Sequence, residues 1–170
     1  MMETEVRVAE DFVGLLMRLE EDFPELRFRP GRKFAFRPPR MIIYADADKE
    51  LRRREPEKTE QELAAKVNEC VEIKNNYLKM QLLHEVGHAI LGHRNWGMDL
   101  ERVKMEGAAW VEAEKLCVKY GVKYDENFAE EELDSYRDWL YARSTCAECG
   151  LTMYQTPDGK YHCPQCEMYR

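Results

Sequence analysis

The chain has 170 residues, enough for one domain and a small appendage, and a hydrophobic content of 44% supports a real core. Its net charge of −7 argues against generic binding to nucleic acid or anionic membranes, and no apolar stretch approaches the ~20 residues needed to cross a bilayer. Charged residues make up 35% of the chain while Ser, Asn and Gln are few, a composition that resembles thermophile proteins.

The N-terminus, MMETEVRVAEDF, is acidic and amphipathic, unlike a secretory signal, so a soluble cytoplasmic protein is expected. Val8, Phe12, Leu15, Leu16 and Leu19 recur at helical spacing and predict a helix over 4–22, closed by Pro24. Residues 26–45 read as extended. Apolar and basic residues alternate around Phe28 and Phe34–Phe36, and Met41-Ile42-Ile43-Tyr44 is a short apolar strand, so a small sheet is expected. From Arg27 to Arg40 there are six basic residues and no acidic one, interleaved with Phe28, Phe34 and Phe36. The favoured reading is a sheet with its apolar side inward and its arginines outward. The same composition also suits nucleic acid or an acidic partner, which is the less favoured alternative.

Residues 46–58 (DADKELRRREPEK) read as a charged loop. Thr59 with Glu62 forms a capping-box signature for a helix through Leu63, Val67, Cys70 and Val71. Asn75-Asn76 is expected to bend or break it before a second helix over 77–94. Asp99 is the expected N-cap of a further helix that stops at Gly121. A last helix is predicted over 127–142, with Glu130, Glu131 and Glu132 in its first turn complementing the helix dipole.

The most informative run is His84-Glu85-Val86-Gly87-His88. Two imidazoles four residues apart project from one helix face, a spacing suited to a tetrahedral zinc ion. Glu85 is placed to take a proton from the attacking water, and the pattern is a zinc-peptidase signature. Leu78, Leu82, Leu83, Val86, Ala89, Ile90 and Leu91 make the helix apolar nearly all round, so it is expected to be buried.

A catalytic zinc needs a third protein ligand, with its fourth position left open. The turn after His93 is short, so the next helix is expected to run back antiparallel. The imidazole pair lies about seven residues before the turn, roughly 10 Å of helix rise. The same distance beyond Asp99 reaches Glu106; Glu101 is too near the turn, and Glu112 and Glu114 are too far. His93 is the rival, but its offset of five from His88 misses the six of the three-histidine proteases. Helix capping or lining of the cleft suits it better. For the developing oxyanion, Tyr44, Tyr77, Tyr120, Tyr124, Tyr136 and His93 all remain open as donors.

The stretch HEVGHAILGH, followed by Glu106-Gly107-Ala108-Ala109-Trp110-Val111-Glu112-Ala113, resembles the ImmA/IrrE-like zinc metallopeptidases. That family shows HExGH with a downstream E-x-x-A-(N/D)-x-F-A helix whose glutamate is the third ligand. Glu106, Ala109 and Ala113 match; Trp110 stands in place of Asn or Asp, and Glu112 in place of Phe. The resemblance covers about residues 34–118 and implies cleavage of a protein substrate such as a repressor or other regulator. The strand at 41–45 is expected to offer an edge to an extended peptide, since a strand commonly borders the cleft in this protease type. SprT-like proteases, which join HExxH to a zinc ribbon, are the weaker second match.

Cys146-x-x-Cys149 and Cys163-x-x-Cys166 are separated by thirteen residues, close to the spacing of a zinc ribbon with one closed Cys₄ site. Thr156-Pro157-Asp158-Gly159 reads as the turn, flanked by strands at Met153-Tyr154 and Lys160-Tyr161. His162 reads as a strand residue, and Cys70 and Cys117 as buried small apolar residues. Between Arg143 and Arg170 three basic and three acidic residues balance, so docking to protein is favoured for the ribbon. The expectation is therefore an α+β chain. A mainly helical zincin-like metallopeptidase domain with a small sheet spans 1–142, and a Cys₄ zinc ribbon spans 143–170. Catalytic zinc is held by His84, His88 and Glu106 with Glu85 as base, and a second, structural zinc by the four cysteines. The alternative is a non-catalytic zinc protein that regulates or binds nucleic acid, for instance one belonging to a mobile element.

Overall fold

The computed structural model describes residues 12–45 and 60–168. Val8, the 46–58 segment, the Thr59 cap and the side chains of Leu63, Val67, Cys70 and Val71 lie outside the described residues. The fold is mixed α+β. In chain order it comprises α1 (Phe12–Asp22), β1 (Arg27–Gly31), β2 (Ala35–Arg37), β3 (Met41–Ala45), α2 (Glu60–Ile90), α3 (Asp99–Tyr120), α4 (Glu126–Ser144), β4 (Tyr154–Gln155), β5 (Tyr161–His162) and α5 (Pro164–Met168). No helix among the described residues is long and apolar enough to cross a membrane.

The first sheet has the order β1-β3-β2, with β1 parallel and β2 antiparallel to β3. Cross-strand partners share a face, so register sorts the side chains. The row Phe28–Ile42–Phe36 turns inward onto the core, while Arg27 and Arg37, paired with Met41 on either side, are exposed on the outer face. This is the apolar-in, arginine-out arrangement read from the sequence. One expectation is corrected. β3 is the central strand, so its edges are already paired, and the strand whose edge borders the cleft is β2.

α2 runs unbroken through Asn75-Asn76. An asparagine costs a helix at most about 0.7 kcal/mol. Here the Asn76 side chain gains a bond by donating to the Lys123 carbonyl at 2.8 Å, so packing against the end of α3 overrides the local preference. The helix ends at Ile90 rather than 94, and Ile90 and Leu91 are exposed instead of buried. Gly92, at φ 63°, takes the left-handed turn, with bonds from Gly92 N–H to the Ala89 carbonyl and from His93 N–H to the His88 carbonyl. These are the two bonds of a Schellman cap.

α3 returns antiparallel along α2. Its N-cap is Met98, not Asp99, and the Glu101 carboxylate accepts from the Gly97 and Met98 N–H groups at 2.8 and 3.1 Å. Leu82, Leu83 and Val86 of α2 bury against Trp110, Ala113 and Cys117 of α3, with α1 supplying Phe12, Leu15 and Leu19. α4 is capped by Asp125, which accepts from the Phe128 N–H at 3.1 Å. It starts at Glu126, one residue earlier than predicted, and Glu126 is the acid of its first turn; the Glu130–Glu132 run lies beyond that turn, and a start at 127 would also leave Glu131 and Glu132 outside it.

The helix pair is in close contact at Gly87. A Cβ there would lie 2.8 Å from the Ala109 carbonyl oxygen, a backbone atom that yields only if the helix moves. Gly87→Ala is expected to destabilise the protein by about 1–3 kcal/mol, the usual cost of overpacking, and to weaken metal retention in parallel. Denaturant unfolding, with metal content measured on the same samples, checks both.

Candidate metal centre

Three donor atoms meet where α2 and α3 touch. His84 Nε2 and His88 Nε2 are 3.1 Å apart, and each lies 3.2 Å from Glu106 Oε2. All three residues are buried. Glu106 is the residue that counting along the antiparallel hairpin selects, and the structure brings it to the imidazole pair.

A near-equilateral triangle of acceptor-capable atoms is poorly served by hydrogen bonds alone. If both imidazoles carry the proton on Nε2 and point it at Glu106, two donors face each other at 3.1 Å. A single cation equidistant from the three resolves the conflict. Ligand bonds of about 2.0–2.1 Å in tetrahedral geometry put ligand atoms about 3.3 Å apart, close to the observed spacing. The donor set therefore fits a metal ion.

The electrostatics agree. Burial lowers the His84 pKa, favouring the neutral imidazole that a metal requires. Burial opposes ionisation of Glu106, but hydrogen bonds from His84 and His88 overcome it and hold the carboxyl at about 2, so it is an anion. Glu85 differs. Burial pushes its carboxyl up to about 7, with Glu106 adding to the effect, while His88 and a hydrogen bond from the Phe36 backbone pull the other way. Glu85 stands outside the triangle and faces the cleft.

The ligands are held from behind. His93 stands outside the triangle. The Gly92 turn folds it back so that its Nδ1 lies 2.7 Å from Nδ1 of His88, and one ring orients the other. Trp110 stacks on His84, with ring centroids 4.3 Å apart at 29°, and Phe36 of β2 lies parallel to His88 at 6.4 Å. Sequence reasoning marked Trp110 only as a departure from a pattern; its position, four residues beyond Glu106 on the same helix face, was the available signal.

Two cavities flank the centre. One, about 710 Å³, is lined by Phe34, Tyr77, Trp110 and Phe128 along with His84 and Glu85. The other, about 310 Å³, is lined by His88, His93, Trp96, Arg102 and Glu106. Glu85 and Tyr136 line both. Of the other tyrosines, Tyr77 donates to Asp125 at 3.1 Å and Tyr120 to Asp22 at 2.7 Å. Tyr44 packs against Phe12, and Tyr124 borders the core away from both cavities. No protein-family model, curated protein or solved structure matches this chain.

The second centre is the cysteine quartet. Cys146 and Cys166 Sγ lie 3.8 Å apart and Cys149 and Cys163 Sγ 3.4 Å apart, all four sulfurs within 4.8 Å of one another and none in a disulfide. A tetrahedral ion with bonds of about 2.3 Å to sulfur spaces its ligands about 3.8 Å apart. The Cys166 N–H points at Cys163 Sγ and is the main cause that brings this thiol down to about 7, toward the ligating thiolate. The strands β4 and β5 sit one residue later than predicted, and His162 in β5 pairs with Glu167 at 2.6 Å. Cys117 is fully buried and its thiol is pushed up to about 12 by that burial, in keeping with a packing role.

The wild-type chain is expected to carry two metal equivalents. Glu106→Ala should lose one and keep the cysteine-bound one, as read by elemental mass spectrometry. Full retention of both would remove Glu106 from the ligand set. His93→Ala is expected to keep the ligands but weaken metal affinity about 10–100-fold, measured by titration against a competing chelator.

Proposed function

We propose that the protein is a zinc-dependent, zincin-like metallopeptidase that hydrolyses peptide bonds of a protein substrate, with a second, structural zinc in its cysteine quartet. The observation that carries the reading is the division of labour among neighbouring side chains. His84, His88 and Glu106 converge on one point, while Glu85, adjacent in sequence, is left out of the convergence and faces the cleft. A metal-holding regulator without turnover leaves Glu85 with no role.

When bound, zinc acidifies a water and polarises the scissile carbonyl. Glu85 takes the proton of the attacking water and delivers it to the leaving nitrogen. The Phe36 backbone bond aims the carboxylate. Negative charge grows on the carbonyl oxygen, where a fixed donor does most good. Tyr136 is the donor we assign, because it lines both cavities beside Glu85 while the hydroxyls of Tyr77 and Tyr120 are committed elsewhere. An extended substrate laid along the free edge of β2 passes between the cavities, which accept side chains on either side of the cleaved bond. A regulator or repressor as substrate is what the resemblance to ImmA/IrrE-like peptidases suggests. A cytoplasmic setting suits thiols kept reduced for metal.

Glu85→Gln is expected to keep both metals and lower peptide hydrolysis at least about 10²-fold, the usual worth of a general base. Hydrolysis by this variant at the wild-type rate, followed by mass spectrometry of the fragments, would refute the reading.

A further inference from the structure

Arg102 occupies an unusual position beside the metal centre. It lies four residues before Glu106 on α3, one helical turn away on the same face. Its guanidinium is bracketed by three rings, with centroids at 4.6 Å (Trp96), 5.2 Å (Tyr136) and 4.8 Å (Trp139). It forms no ion pair with any carboxylate among the described residues, and its Nε is buried with no hydrogen-bond partner among them. The residue nevertheless lines the smaller cavity, together with His88, His93 and Glu106.

Aromatic faces stabilise a cation but use none of its five in-plane N–H donors, and here a hydrogen bond with Tyr136 engages only part of that edge. The same cavity also carries Lys33 and Arg94, and its only carboxylates are Glu85 and Glu106, both belonging to the centre. The larger cavity shares Lys33 and Phe34 with it, adds Arg32 and Lys74, and is walled further by Tyr77, Trp110 and Phe128. Cations and rings thus line both sides of the centre, and what sets the smaller cavity apart is a guanidinium held among rings one helical turn from Glu106.

Building on the peptidase reading, we propose that Arg102 is a specificity-determining residue that binds a substrate carboxylate on the smaller-cavity side of the scissile bond. The planar fork accepts a carboxylate through paired N–H donors, and the aromatic bracket holds that fork rigid before substrate arrives. One turn of helix separates Arg102 from Glu106, which sets the carboxylate one or two residues from the cleaved bond, at about 3.3 Å per extended residue. The preferred substrate carries a carboxylate on the smaller-cavity side of the bond. That carboxylate is an Asp or Glu side chain or the free end of the chain.

The test is binding, measured on the full-length Glu85→Gln chain loaded with zinc, so that it does not depend on turnover. Three peptides share an aromatic residue and differ only in charge: one with Glu and an amidated end, one with Gln and an amidated end, and one with Gln and a free C-terminal carboxylate. Fluorescence of Trp96 and Trp139 reports occupancy. One or both carboxylate peptides are expected to bind about tenfold tighter than the neutral one, and whichever does so identifies the source of the carboxylate. Adding Arg102→Met should collapse that difference, and Arg102→Lys should restore part of it. Equal affinities in the Arg102 protein overturn the proposal without any variant, as does a difference that survives Arg102→Met in a protein whose thermal melt shows it folded. Digestion of a peptide library by the wild-type chain separates the two readings. Cleavage with no enrichment of a carboxylate sinks this proposal and leaves the peptidase standing. Arg102-dependent carboxylate binding without any cleavage sinks the peptidase reading and leaves Arg102 as the carboxylate-binding residue of the cavity.

Discussion

The donor atoms that meet within 3.2 Å of one another sit on two helices whose backbones approach closely at Gly87 and Ala109. Glu106 has a short reach, so any thickening of this contact lifts its carboxylate off the imidazole pair. The sequence supplies small residues where the axes are closest (Gly87 on one helix, Ala109 and Ala113 on the other) and large ones on either side, with Leu82, Leu83, Val86 and Trp110 sealing the contact. Close-packed interiors transmit a displacement of one methyl group rather than absorbing it. The geometry of the donor triangle is therefore a property of the helix pair, and the sheet, α1 and α4 serve to clamp that pair.

Burying two imidazoles and a carboxylate is costly unless each is paired. Glu106, held ionised at about 2, gives the site its one fixed negative charge, and the His84 ring is biased toward neutrality. A divalent cation satisfies all three at once. The surrounding rings then act as struts. Trp110 and Phe36 fix the planes of His84 and His88, and His93 fixes the rotation of His88. Glu85 receives opposite treatment. Its carboxyl is desolvated but left free to move a proton, and the Phe36 backbone bond ties it to the strand along which the proposed substrate lies. Two carboxylates of one chain are thus driven in opposite directions by their environments, one toward a permanent anion and one toward a group poised near neutrality.

Much of this centre was legible because helical periodicity is rigid. Offsets of four on α2 and a count of residues on either side of a short turn suffice to bring His84, His88 and Glu106 together, and the paired CxxC spacing does the same for the cysteines. What the sequence leaves open is whatever depends on tertiary choice. Phe28, Phe36 and Ile42 are equally apolar, so periodicity assigns them a face but not a strand order, and the edge bordering the cleft is β2 rather than β3. Asn75-Asn76 weakens a helix locally, yet its partner at Lys123, nearly fifty residues away, decides the outcome. Arg102, Trp96, Tyr136 and Trp139 come from the turn, α3 and α4, and no spacing rule predicts that three rings close around one guanidinium.

The cysteine module bears on the same helix pair. Asp99, the first residue of α3, is buried, and its carboxylate accepts from Arg143 Nε at 2.7 Å and from the Tyr161 hydroxyl at 2.9 Å. Its backbone N–H donates to Gln155 Oε1 at 2.7 Å. Tyr161 and Gln155 face each other across the two strands of the module, and Arg143 lies in the last turn of α4. Burial disfavours the ionised form of Asp99, but these bonds outweigh it and hold the carboxyl below its ordinary value. An anion in the first turn of a helix also opposes the positive end of its dipole. The start of α3 is therefore fixed from the module, and Glu106 follows two turns later on the same rigid rod. A cation held among the four sulfurs would steady the β4–β5 pair, that pair steadies Asp99, and Asp99 sets the axial position of Glu106. The two candidate metal centres are in this way mechanically in series, joined by one helix.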